Sequence, residues 1–219
     1  LTMKQDDFNQ QLCSFLTAST TPFHAVAEMV AQLTAAGFSR LTDREEWKIK
    51  PGGYFLTRNA SSIVAFIIGS ESPAGEGMRM VGAHTDSPCL MVKPTPEIHS
   101  QGLFQLGVQV YGGALLNPWF DRDLSLAGRV SYLDGTGQLR VALVDFRDAI
   151  ATVPSLAIHL DREANKNREV NPQTAIVPVL RQVEGEETVD FRMLLHERLL
   201  QEHPDISVEK ILDYELSFY

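Results

Sequence analysis

Apolar positions along this chain fall first at helical spacing and then at strand spacing. Over residues 7–17, Phe8, Leu12, Phe15 and Leu16 share one helix face, with Asp6 and Asp7 favourable near its start. Ser19-Thr20-Thr21-Pro22 breaks that helix. Thr21 can cap a second helix whose first position is Pro22. Phe23, Val26, Ala27, Val30 and Leu33 form its apolar face, and Gly37 stops it. Short strands are expected at 54–58 and 63–69, with a loop over 69–77. A third strand, Met78-Arg79-Met80-Val81, leads into Gly82-Ala83-His84. Two helices followed by three strands open an α/β domain with a largely buried sheet.

The pattern changes after Pro94. Leu103–Tyr111 and residues 125–133, 139–144 and 175–180 read as strands divided by Gly, Pro and Asp turns. Asp134-Gly135 with Gly137 marks a hairpin. This segment reads as a separate β-rich domain beginning near residue 95. Residues 190–202 form an amphipathic helix through Phe191, Leu194, Leu195 and Leu199. Residues 207–212 add a helical turn or two, and 215–219 start another strand. A chain that stops as a strand begins suggests truncation. There is no low-complexity segment and no internal repeat.

The chain has 219 residues and a mass of 24.4 kDa, enough for one large or two small domains. It is 44% hydrophobic and 21% charged, which is ordinary for a globular protein. A net charge of −9 argues against non-specific nucleic-acid binding, which needs a basic surface. No apolar run approaches the ~20 residues of a membrane helix. Leu1-Thr2-Met3-Lys4 lacks the pattern of a signal peptide. Cys13 and Cys89 are too few and too distant for a disulfide framework, which implies a reducing, cytoplasmic compartment.

The sharpest candidate chemistry is Gly82-Ala83-His84-Thr85-Asp86-Ser87-Pro88. A strand ending in His-x-Asp would deliver an imidazole and a carboxylate together to a sheet edge. His84 would bind a metal through one ring nitrogen, with Asp86 as the orienting acid. The plainer reading is a surface turn with a solvated His84. A catalytic metal needs about three protein ligands, and His84 is the one convincing ligand found.

Asp121 and Asp123 would share a face on a strand and could hold a cation, but a salt-bridged turn is preferred. His159, in Leu156-Ala157-Ile158-His159-Leu160, reads as an ordinary histidine of an apolar strand, or as one offered to an active site. Cys89 is a weaker thiolate candidate. His24, His99, His196 and His203 have no partners at ligand spacing, and His24 reads as structural. Glu184, Glu186 and Glu187 form a solvated acidic loop. Gly112-Gly113 fits no phosphate-loop template.

Taken together, the motifs resemble the aspartyl aminopeptidase family of zinc metallopeptidases. The matching residues begin with Thr21-Pro22-Phe23-His24-Ala25 and the His84 motif. They continue through Asn117-Pro118-Trp119-Phe120-Asp121-Arg122-Asp123-Leu124 and Leu126-Ala127-Gly128-Arg129-Val130. Ile158-His159-Leu160-Asp161-Arg162, and Asn171 leading to Val177-Pro178-Val179-Leu180, complete the series. They run in order along nearly the whole chain.

The resemblance implies an α/β fold: part of a metallo-aminopeptidase catalytic domain with an inserted β-rich dimerisation domain. Residues 1–94 would be catalytic, 95–204 the dimerisation domain, and 205–219 the return toward the catalytic domain. It implies a two-metal Zn2+ site that removes N-terminal Asp or Glu from peptides. His84 would be a zinc ligand, with Asp86 holding the metal-bound machinery. His159 would reach the neighbouring protomer's active site and help stabilise the reacting carbonyl. Family members are cytosolic homo-oligomers, with dimers building dodecamers. The family's bridging Asp, Glu-Glu pair, further Asp and final His have no counterpart here. The chain is therefore expected to be about the N-terminal half, inactive alone. The rival readings are an inert assembly module, should the chain naturally end at residue 219, and a zinc aminopeptidase of other side-chain preference.

Overall fold

The computed structural model describes residues 5–71, 73–185 and 187–219, apart from the Pro73 side chain. The sequence readings on residues 1–4 and on Glu186 lie outside these. The chain divides into two compact units, Leu1–Ser87 and Pro88–Tyr219.

The first unit begins with helices α1 (Gln5–Ala18) and α2 (Pro22–Ala35). Thr21 caps α2, its side chain accepting from His24 N, with Pro22 in the first turn. Phe23, Ala25 and Val26 of α2 are buried. The apolar residues of α1 are not: Phe8, Leu12 and Leu16 stay exposed. A three-stranded sheet follows, with β1 (Ser39–Arg40) parallel to β2 (Gly52–Arg58), and β2 antiparallel to β3 (Ser62–Ile68). Asn59 and Ala60 turn that hairpin with φ of 52° and 53°, the left-handed pair that matches strand twist.

Two expectations for this unit change. The predicted strand at 78–81 is not formed; Met78, Met80 and Val81 are exposed. A strand needs a ladder partner for its N–H and C=O groups, and no described strand pairs with this run. Nor is the sheet largely buried, since Val64 and Ile67 of β3 face solvent. A single helical turn, α3 (Pro73–Glu76), lies in the intervening loop.

The second unit is a six-stranded sheet. Its strands are β4 (Cys89–Ser100), β5 (Leu103–Tyr111), β6 (Leu126–Leu133), β7 (Leu139–Asp145), β8 (Val179–Gln182) and β9 (Lys210–Phe218). They pair antiparallel throughout, in the order β7-β6-β9-β4-β5-β8. Helix α4 (Phe191–Glu202) packs on β7 and β9, burying Phe191, Leu195 and Leu199 at i, i+4 and i+8. Asp190 caps it, accepting from Arg192 N and Met193 N. Leu90, Phe104, Leu106, Leu126, Leu216 and Phe218 fill the core beneath. The β6–β7 hairpin forms as expected. Asp134 Oδ1 accepts from Thr136 N, Thr136 Oγ1 and Gln138 N, and Gly137 takes φ 76°. These bonds, with Arg140 on the other oxygen, hold the Asp134 carboxyl well below its usual range.

Strand β4 was not foreseen, and the expected boundary after residue 94 falls inside it. Pro94 and Pro96 hide it from a sequence pattern. Both lie where the ladder to β5 shifts register, between Val92 and Glu97, so their missing N–H groups break no regular pairing. The expected helical turn at 207–212 is also replaced. Residue 210 onward is strand, because Ile211, Tyr214, Leu216 and Phe218 all find burial in a sheet. Residues 205–219 thus belong to the second unit, where β9 runs between β6 and β4. Tyr219 and Ser125 exchange both backbone hydrogen bonds at 3.0 Å. The Tyr219 hydroxyl donates to Asp145 Oδ1 at 2.6 Å. Asp145 N in turn donates to the Glu202 carboxylate, which pairs with Arg198.

Candidate metal ligand and histidine loop

His84 lies on an irregular segment of the first unit. Thr85 anchors that segment, its hydroxyl donating to Ser61 O at 2.7 Å beside the β2–β3 turn. On either side of Thr85, His84 and Asp86 meet. His84 Nδ1 is 2.7 Å from the Asp86 carbonyl oxygen and 3.5 Å from its carboxylate Oδ1. A carbonyl can only accept, so Nδ1 carries a proton, and in the neutral ring the lone pair then rests on Nε2. The side chain is 81% exposed, leaving the ring open to solvent.

Metal-binding histidines commonly hold one ring N–H against a backbone carbonyl in this way and coordinate through the other nitrogen. The residues therefore fit a zinc ion as a single ligand. Among the described residues, no group of three or more His, Cys, Asp or Glu side chains is placed to hold a metal. A catalytic zinc takes about three protein ligands, and His84 alone is fewer than that.

His159 lies in the second unit, in a turn and not in the expected apolar strand. The Ala157 carbonyl accepts from Leu160 N at 2.8 Å and from Asp161 N at 3.1 Å, which bends the backbone there. His159 is exposed. So are Leu156, Ile158 and Leu160 around it, at 63, 45 and 75%.

Asp121 and Asp123 do not lie on a strand. Asp121 takes a left-handed φ of 56°, and its Oδ1 accepts from Ser155 N at 2.8 Å. The turn expected of this cluster is present at Asp121, without, among the described residues, the salt bridge expected with it. Bonds from the Ser155 hydroxyl and amide, aided by the Arg168 charge, lower the Asp121 pKa. Cys89 Sγ donates to Ser217 Oγ at 3.4 Å within the sheet.

The remaining histidines serve the fold. His24 Nδ1 is 2.8 Å from the Thr21 hydroxyl, and His99 Nε2 accepts from Val189 N at 3.0 Å. His196 and His203 reach the carbonyls of Val208 and Leu143 at 3.1 and 2.8 Å. Sequence reasoning missed Ser155 and Arg168, which flank the His159 loop. A serine and an arginine in a polar stretch carry no pattern that sets them apart.

Among the described residues, no helix is long and apolar enough to cross a membrane. The family model for the aminopeptidase I zinc metalloproteases (M18) matches residues 15–219. A Pseudomonas entomophila protein named "Probable M18 family aminopeptidase 2" is 57% identical over 98% of this chain and 50% of its own length. Among solved structures, one of an Ape4–Nbr1 complex matches 94% of this chain and 42% of that chain, with a TM-score of 0.86 and 37% identity. The Chaetomium thermophilum mApe1 structure matches 99% and 51%, with a TM-score of 0.85 and 34% identity. The chain spans about half the length of the curated relatives it matches.

Proposed function

The chain belongs to the M18 family of zinc aminopeptidases. On that footing we propose that it gives one zinc ligand and one catalytic histidine to an enzyme cutting N-terminal residues, Asp and Glu above others, from peptides. The observation that carries this reading is His84, its Nδ1 held 2.7 Å from the Asp86 carbonyl oxygen, which in the neutral ring leaves the Nε2 lone pair for a metal. In the complete site two zinc ions are expected. When bound, they polarise the scissile carbonyl and lower the pKa of a coordinated water.

The chain's own residues then act as follows. His84 presents a neutral nitrogen, and the Asp86 carbonyl fixes its tautomer. The Asp86 carboxylate, 3.5 Å from the same Nδ1, favours that orientation further. His159 donates a hydrogen bond to the carbonyl oxygen of a substrate held by a neighbouring copy, where negative charge develops during attack. Its surroundings support a shared site. Leu156, Ile158 and Leu160 leave apolar surface on the loop that another copy would cover. Unit Leu1–Ser87 then belongs to the catalytic domain, and the sheet of Pro88–Tyr219 to the dimerisation domain. A solved Saccharomyces cerevisiae relative, mApe1, is a dodecamer, and an oligomer of this kind is the assembly proposed. Two cysteines held as thiols support a cytoplasmic location.

The test is hydrolysis of Asp-, Glu- and Leu-anilides with and without zinc. It compares this chain with one that also carries the second half its relatives possess. Zinc-dependent turnover of the acidic substrates by the longer chain alone supports the reading. Faster turnover of the Leu substrate removes the acidic preference. Turnover by the 219-residue chain would mean that Asp121, Asp123 or Cys89 completes a site. One observation favours an assembly module instead: among the described residues, nothing completes the metal site. A soluble dimer, with no hydrolysis by either chain, would decide for that module.

A further inference from the structure

The loop that presents His159 is tied at both ends. The segment before it runs beside Phe120 and Asp121: Phe120 pairs in parallel with Val153, and Asp121 N donates to Val153 O at 2.9 Å. The Asp121 side chain extends that pairing, its Oδ1 accepting from Ser155 N at 2.8 Å. To do both, Asp121 holds φ at 56°, a conformation that costs a non-glycine residue free energy unless its surroundings impose it. Asp is among the residues that tolerate it best.

The far end of the loop comes back to the same place. Both Nη atoms of Arg168 donate to Ser155 Oγ at 3.2 Å, and the guanidinium lies 3.8 Å from the centre of the Phe120 ring. Ser155 is thus held by Asp121 through its amide and its hydroxyl, and by Arg168 at the hydroxyl oxygen. Residues 156–167 form a surface loop with closed ends, of the compact kind that carries functional groups. Inside it, Asp161 and Glu163 accept turn hydrogen bonds from Ala164, Lys166 and Asn167.

We propose that Asp121, Ser155 and Arg168 form a clamp that positions His159 for catalysis, making Asp121 and Arg168 positioning residues for the M18 reaction. The proposal rests on the role given to His159 above. Arg168 does two things here that a lysine could not do together. Its planar fork spans one acceptor with two donors while its face stacks on an aromatic ring. Neither residue touches the reacting atoms, so each acts only by limiting where the imidazole can be.

The test uses a zinc-loaded chain carrying this segment and the second half its relatives possess. Asp121→Gly removes the acceptor while easing the left-handed φ. Asp121→Asn keeps both the acceptor and the tolerance for that φ. Arg168→Met removes the fork but keeps the stem. Asp121→Gly and Arg168→Met are expected to lower kcat about tenfold or more, the scale of a misplaced catalytic group. KM should stay within about twofold, because substrate binding is not what is lost. Asp121→Asn should restore most of kcat. In a His159→Ala background the clamp variants should cost nothing further. Amide exchange over 156–167 should quicken while β6 and β9 keep their protection.

Unchanged exchange in the loop, or a kcat loss that adds in full to that of His159→Ala, would overturn the clamp. So would normal kcat in the clamp variants while His159→Ala is slow. A His159→Ala enzyme with normal kcat is a different failure: it removes the role given to His159, and the clamp's catalytic purpose falls with it.

Discussion

Replacing Gly128 with Ala should damage the second unit more than any other single methyl group added to its sheet. Gly128 sits in β6 between Val144 of β7 and Leu216 of β9. A Cβ there would lie 2.0 Å from Glu215 O and 2.9 Å from Leu216 Cα. An ordinary carbon–oxygen approach is about 3.3 Å, so the overlap is about 1.3 Å. Both obstacles are backbone of the neighbouring strand, which cannot swing aside as a side chain can. Moving β9 outward would also pull on Leu216 and Phe218, which are fully buried. Overpacking costs ~1–3 kcal/mol, and backbone obstruction puts this case at the upper end, about 3 kcal/mol. At roughly 3 °C per kcal/mol for a unit of this size, the melting temperature should fall by ~9 °C. Gly137→Ala is the control, because it too has positive φ but meets no atom within 4 Å; it should cost only ~1 kcal/mol, the scale of an L-residue held in the left-handed region. Thermal melts followed by circular dichroism, with urea midpoints alongside, measure both. If Gly128→Ala melts within ~2 °C of wild type, or above Gly137→Ala, the strand spacing argued here is wrong.

Two further expectations follow. Burial, then the bond to Asp145, pushes the Tyr219 hydroxyl up to about 12, and burial pushes Tyr214 up to about 12. The unfolded chain ionises these phenols near pH 10. Their contribution is therefore complete below about pH 10 and is lost as pH rises toward 12. A melting temperature that does not fall across that window, or falls equally in Tyr219→Phe, would contradict this. His159→Ala, in a chain with both halves, should keep its zinc and its assembly while kcat drops ~10²-fold, as for a lost transition-state donor. Equal kcat values in mutant and wild type would return His159 to the surface residues.

Much of this architecture can be read from the sequence because local chemistry and tertiary structure agree. Thr21-Pro22 starts α2, Asp190 starts α4, and Asp134-Gly135 with Gly137 turns the β6–β7 hairpin. Reading fails where partners distant in sequence decide the outcome. β4 is a long strand despite two prolines, because a bulge removes the need for their N–H groups. Ile211 belongs to a strand instead of a helix, because β6 pairs with it across 79 residues of chain, Tyr132 to Ile211. Met78-Arg79-Met80-Val81 has strand composition but no described neighbour to complete a ladder. The site divides the same way. The His-x-Asp spacing of His84 and Asp86 was legible, because the two residues interact within one short segment. The clamp on the His159 loop was not, because Asp121, Ser155 and Arg168 converge from three separate stretches.

If His84 holds the catalytic zinc, as proposed, removing its imidazole should empty the site. The most direct measurement is bound zinc and Asp-anilide turnover in one preparation of the two-half chain, wild type against His84→Ala. The account predicts that the mutant loses both metal and activity while keeping its fold by circular dichroism. A folded His84→Ala protein with the full zinc content of wild type would contradict it.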